Sequence, residues 1–114
     1  MVAMYGIPNC DTVKKARLWL TDHHMDYVFH NYKKEAPNGE LLTGWVDVVG
    51  WEVLLNKRGT TWRKLSEADK EDIDCEKAVA LMIHNPSMIK RPVLIVDQHI
   101  EVGFSPEAYA GLFA

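Results

Sequence analysis

The chain has 114 residues, enough for one compact fold with a real hydrophobic core but not for two independent domains. Hydrophobic residues make up 47% and charged residues 25%, which excludes a disordered chain, and a formal charge of −3 argues against a general nucleic-acid binder. Two cysteines far apart in sequence are not a disulfide framework, no basic-then-apolar leader opens the chain, and no apolar run reaches membrane-span length. A cytoplasmic protein with both thiols reduced is therefore expected, a monomer with neither nucleic acid nor membrane as partner.

Val2-Ala-Met-Tyr-Gly-Ile7 is a short apolar run stopped by Pro8-Asn9, which reads as a strand and a turn. A helix over 12–20 follows, with Asp11 or Thr12 as N-cap. In it Val13, Ala16, Trp19 and Leu20 are spaced to pack on a sheet, while Lys14, Lys15 and Arg17 take the other face. Tyr27 to His30 reads as a second strand, after a polar turn at Asp22-His23-His24. Strand, helix and strand in this order predict a right-handed βαβ unit with parallel strands.

From about residue 33 to 86 the pattern turns helical. Leu41, Leu42, Trp45, Val46 and Val49 recur at helical spacing between Pro37-Asn38-Gly39 and Gly50, and a short helical stretch runs from Trp51 to Leu55. Ser66 to Asp69 resembles a capping box, and Asp74 is placed to cap a helix carrying Ala78, Leu81 and Met82. Strand patterns then return. Pro92 to Val96 is a buried-strand run, Asp97-Gln98-His99 is a turn, and Ile100 to Gly103 completes an antiparallel hairpin. Ser105-Pro106-Glu107 starts a last helix through Phe113, with Pro at its first position.

Cys10 lies where the first strand turns into the first helix. Unpaired backbone N–H groups and the positive end of the helix dipole point there, and they favour the thiolate. Thiols so placed have pKa values of roughly 3.5–7.5 instead of about 8.5, and the thiolate is the nucleophile. The residue three beyond Cys10 is Val13, so no local disulfide resolves an adduct. Turnover then needs an external thiol, for which abundant glutathione is the expected co-substrate, with no bound cofactor. Lys14, in the opening turns, is a candidate contact for an anionic group of the partner. Cys75, early in an insertion helix, reads as structural, and no histidine shows zinc-ligand spacing with cysteines or carboxylates.

The β-α-β…β-β-α order resembles the thioredoxin fold. The segments Tyr5-Gly-Ile-Pro-Asn-Cys-Asp-Thr-Val-Lys-Lys-Ala, Gly59-Thr-Thr-Trp-Arg-Lys-Leu65 and Ile89-Lys-Arg-Pro92 resemble the arsenate reductase/Spx (ArsC-like) family. Within that family they are most similar to the YffB-like branch. The resemblance spans the whole chain as a single domain. It implies an α/β thioredoxin-like core with a four-stranded mixed sheet at about 1–32 and 87–114, and an all-helical insertion at about 33–86.

The resemblance also implies one reactive cysteine, Cys10, with Asn9 beside it, and a cis Pro92 facing it after Arg91. Arg91 would offer a planar donor fork to a carboxylate or oxyanion, and Arg58 in the basic segment 57–64 would face the same anion. YffB-like members are regarded as glutathione-dependent thiol reductases, and the arsenate reductases work with glutathione and glutaredoxin. Arsenate reductases use three arginines around the cysteine. Arg91 matches one, but Asn56 and Phe104 occupy the other two positions. The expected activity is therefore glutathione-dependent thiol–disulfide exchange, with arsenate reduction as the alternative. A non-enzymatic, Spx-like adaptor is the remaining class; exposed Trp45, Trp51 and Trp62 would favour it.

Overall fold

The computed structural model describes residues 2–113. In chain order the elements are β1 (Val2–Gly6), α1 (Asp11–Asp22), β2 (Val28–Asn31), α2 (Gly39–Val49), α3 (Trp51–Leu54), α4 (Thr60–Arg63), α5 (Glu67–Lys70), α6 (Cys75–His84), a 3-10 turn (Pro86–Met88), β3 (Val93–Val96), β4 (His99–Val102) and α7 (Pro106–Leu112). The chain divides into two compact units, at Glu35/Ala36 and at Lys90/Arg91.

The first unit holds one sheet of order β2-β1-β3-β4. β1 runs parallel to β2, with Ala3 opposite Val28 and Gly6 opposite Asn31. It pairs antiparallel with β3, Tyr5 opposite Val93, and β3 pairs antiparallel with β4. This is the expected four-stranded mixed sheet of a thioredoxin-like α/β fold. Strand alternation turns Met4 and Leu94 into a core shared with Val13, Ala16 and Leu20 of α1 and Tyr109 of α7, all fully buried. The three α1 residues recur at helical spacing, so one stripe of the helix meets the sheet, and each large side chain so buried contributes about 1.5–3 kcal/mol. Asp97, with φ 55°, closes the β3–β4 hairpin. Ser105 Oγ accepts from the Ala108 N–H at 3.1 Å, and this cap with Pro106 at the first position starts α7 as the sequence predicts.

The second unit is all helical. Asn38 Oδ1 caps α2 through the Leu41 N–H at 2.8 Å, and Gly50, with φ 90°, ends it. Ser66 Oγ caps α5 and Asp74 Oδ1 caps α6, as expected. Leu42, Trp45, Val46, Leu54, Leu55, Ala78, Met82, Met88 and Ile89 are buried, and Leu55 bridges to Ile89. Among the described residues no helix is long and apolar enough to cross a membrane.

The unit boundaries fall a few residues later than the expected 32/33 and 86/87. At the first, Tyr32 N–H bonds Gly6 O at 2.8 Å and Glu35 N–H bonds Asn31 O, so the residues just past β2 stay with the sheet. At the second, Asn56 N–H bonds Met88 O and Lys90 N–H bonds Leu54 O, which ties the segment before Arg91 to the helices. The helix α4 and the 3-10 turn have no counterpart in the sequence reading.

Candidate functional site

The segment Ile7–Cys10 turns the chain from β1 into α1, closed by Cys10 N–H bonding Ile7 O at 3.1 Å. Cys10 itself is the N-cap, with extended backbone angles (φ −84°, ψ 129°), and its carbonyl accepts the first helical bond, from the Lys14 N–H at 2.9 Å. This corrects the expectation of Asp11 or Thr12, whose side chains make better caps; the helix simply starts one residue earlier. No side-chain cap bond of ordinary geometry forms. The Val13 and Thr12 amides nevertheless act on the sulfur as charge-stabilising donors.

The thiol is free and half-buried. Burial pushes its pKa up, but the Val13 amide, a hydrogen bond from the Arg91 side chain, the Thr12 amide and the Arg91 charge together bring it below the ordinary cysteine value. Asp11 is exposed and is not among the groups acting on the sulfur.

The first unit thus brings Cys10 and Arg91 together, although they stand at opposite ends of the sequence. Arg91 precedes Pro92 through a cis peptide bond, and Pro92 is buried, with its carbonyl accepting the Gly103 N–H at 2.8 Å. Gly6 lets α1 and Arg91 approach: a Cβ there would meet Val13 Cγ2 at 2.9 Å and lie 3.8 Å from Arg91 Cβ. Tyr32, only 2% exposed, is a neighbour of Arg91 that sequence reasoning missed. Burial drives its phenol far above the usual tyrosine range, the Arg91 charge opposing, so it is neutral at any working pH.

The other expected residues are less converged. Asn9 is exposed in the turn, and Lys14 is exposed one turn into α1. Arg58 belongs to the second unit, where it is exposed; its N–H bonds Asn56 Oδ1 at 3.0 Å and its carbonyl accepts from Arg63 Nη2 at 3.1 Å. Asn56 therefore shapes a turn, while Phe104 packs edge-on against Tyr109 at 4.7 Å in the first unit's core. Cys75 opens α6 and is exposed, not packed as a structural thiol would be. Trp45 is buried; Trp51 and Trp62 are half-buried, with Lys57 Nζ near both rings. Among the described residues no group of three or more His, Cys, Asp or Glu is placed to hold a metal.

The ArsC family profile matches residues 5–112, nearly the full chain. The chain belongs to the ArsC family. It is similar to the protein YffB, whose solved structure superposes with a TM-score of 0.97 at 50% identity and full coverage of both chains. It is also similar to an arsenate reductase (ArsC) related protein from Brucella melitensis, at 52% identity and a TM-score of 0.78, over 98% of this chain and 93% of that one. The global transcriptional regulator Spx of Lactiplantibacillus plantarum is 26% identical over 94% of this chain and 82% of its own. The family thus spans proteins named for reductase chemistry and proteins named as regulators.

Proposed function

We propose that this member of the ArsC family is a glutathione-dependent thiol–disulfide oxidoreductase in which Cys10 is the single nucleophile. The observation that carries the reading is the half-buried Cys10 held between the α1 amides and Arg91, with its pKa lowered and Val13 where a resolving thiol would stand. The Cys10 thiolate attacks the glutathione sulfur of a glutathionylated substrate. That S–S bond breaks, the substrate leaves as a thiolate that takes a proton from water, and Cys10 becomes a mixed disulfide with glutathione. A second glutathione thiolate attacks the mixed disulfide, releasing oxidised glutathione and restoring the Cys10 thiolate. The substrate sulfur goes from disulfide to thiol and the incoming glutathione sulfur from thiol to disulfide. The first glutathione stays at the disulfide level throughout, so the electrons balance.

Arg91 stabilises the thiolate before attack and again as it leaves. Within the first unit, Asn9, Lys14 and Pro92 are the proposed contacts for the anionic and peptide groups of the partner. Arsenate reduction fits less well: of the three arginine positions that the family resemblance implies, Arg91 fills one, whereas Asn56 and Phe104 occupy the other two in sequence, with side chains engaged in a turn and in the core. A cytoplasmic setting supplies the glutathione that the cycle needs.

Intact-protein mass spectrometry after exposure to oxidised glutathione tests the reading with wild type, Cys10→Ser and Cys75→Ser. One adduct that requires Cys10 and is cleared by reduced glutathione is expected. An unmodified Cys10 that also resists a small alkylating reagent would refute it.

A further inference from the structure

Beyond the thiol, one flank of α1 carries two cations, one of them held in a defined geometry. Lys14 and Arg17 follow Cys10 at intervals of four and seven residues, the spacing that places side chains on one flank of a helix. Arg17 is held in place on that flank. Its Nε donates to the Tyr27 hydroxyl at 2.9 Å, and its guanidinium lies 4.1 Å from the centre of the Phe29 ring. This fixes the fork against the β2 side of α1, at little further entropic cost to a ligand. Among the described residues neither the Arg17 Nη groups nor Lys14 Nζ meets an acceptor, and Asp11, Asp22 and Asp26 form no ion pair with either.

We propose that Arg17, assisted by Lys14, is a specificity-determining dock for a carboxylate of the disulfide partner, set about 10 Å along α1 from Cys10. The partner is an extended peptide segment with an acidic residue about three positions from its reactive cysteine, since an extended chain advances roughly 3.3–3.6 Å per residue. The inference rests on the thiol-exchange reading of Cys10 and adds a substrate class to it, a peptide disulfide in which Cys10 attacks the peptide's own cysteine sulfur instead of the sulfur of an attached glutathione.

Two synthetic peptides test it on a Cys75→Ser background, N-acetylated and C-terminally amidated Cys-Gly-Gly-Glu and Cys-Gly-Gly-Gln, each activated as a thiopyridyl mixed disulfide. The Glu side chain is then the one carboxylate and Cys10 the one thiol. Cys10 attacks the peptide sulfur, the S–S bond breaks and thiopyridone leaves, so its absorbance reports the rate. This parent should prefer the Glu peptide by about threefold to fivefold at low ionic strength, and the ratio should shrink as salt is added. Arg17→Gln should bring the ratio to about one, and Lys14→Gln, at an exposed position that folding tolerates, should lower it part-way. A parent ratio of one, or a ratio that both variants leave unchanged, overturns the dock while leaving thiol exchange standing. No thiopyridone from either peptide overturns both.

Discussion

Removing the Arg91 guanidinium takes away two of the four influences that lower the Cys10 pKa, while the Val13 and Thr12 amides remain. Arg91→Gln should therefore move the pH profile of Cys10 alkylation to higher pH, with slower alkylation at neutral pH. Arg91→Lys should recover part of the shift, because it restores the charge without the planar fork. Alkylation of a Cys75→Ser background, followed from pH 5 to 10, measures this; superimposable profiles for Arg91→Gln and the parent would sink the assignment. At this scale the sequence was informative about Cys10, because a cysteine between a strand pattern and a helix pattern has few alternatives. It was silent about Tyr32, whose proximity to Arg91 exists only once β2 lies beside β1. Arg17 looked like one more cation on a solvated face, since its partners Tyr27 and Phe29 come from another element.

Elements were legible where a local signal fixed them. Ser66, Asp74 and Ser105 each accept the backbone bond that their position predicts, and the Asp97 turn makes the hairpin. The helix α4 was not legible: Gly59 is its N-cap with no side-chain bond, and Thr61 Oγ1 meets Ser87 Oγ at 2.7 Å beside the 3-10 turn. Such a single turn owes its stability to contacts distant in sequence, which no local pattern encodes. The seating of α1 on β1 was equally hidden, because it depends on Gly6 lacking a side chain. Gly6→Ala would place a methyl 2.9 Å from Val13 Cγ2, so either α1 or the Val13 rotamer must shift. Urea unfolding should show a loss of about 1–3 kcal/mol, as overpacking usually costs. The same substitution in a Val13→Ala background should cost much less, since the clashing methyl groups are gone. An equal loss in both backgrounds would show that something other than the α1 contact constrains Gly6.

The charge on Cys10 also couples to the stability of the fold, and the sign follows from its lowered pKa. Above the ordinary thiol pKa of about 8.5 the sulfur is ionised folded or unfolded, and the folded state keeps the full benefit of the amides and Arg91. As pH falls, the unfolded chain binds its proton first, and the benefit is lost through the window ending at the folded pKa. Below that, both states hold a neutral thiol. Cys10→Ser provides the reference, because it cannot ionise and serine is among the best N-caps, whereas Cys10 forms no cap bond of ordinary geometry. At low pH the serine variant should match wild type or exceed it by up to about 1 kcal/mol. Raising the pH toward 9 should then move the difference steadily in favour of wild type. Urea unfolding under reducing conditions, in a Cys75→Ser background, measures the difference at each pH. A flat or falling difference would mean that the folded protein does not favour the thiolate, and Cys10 would then lack the activation that thiol exchange needs.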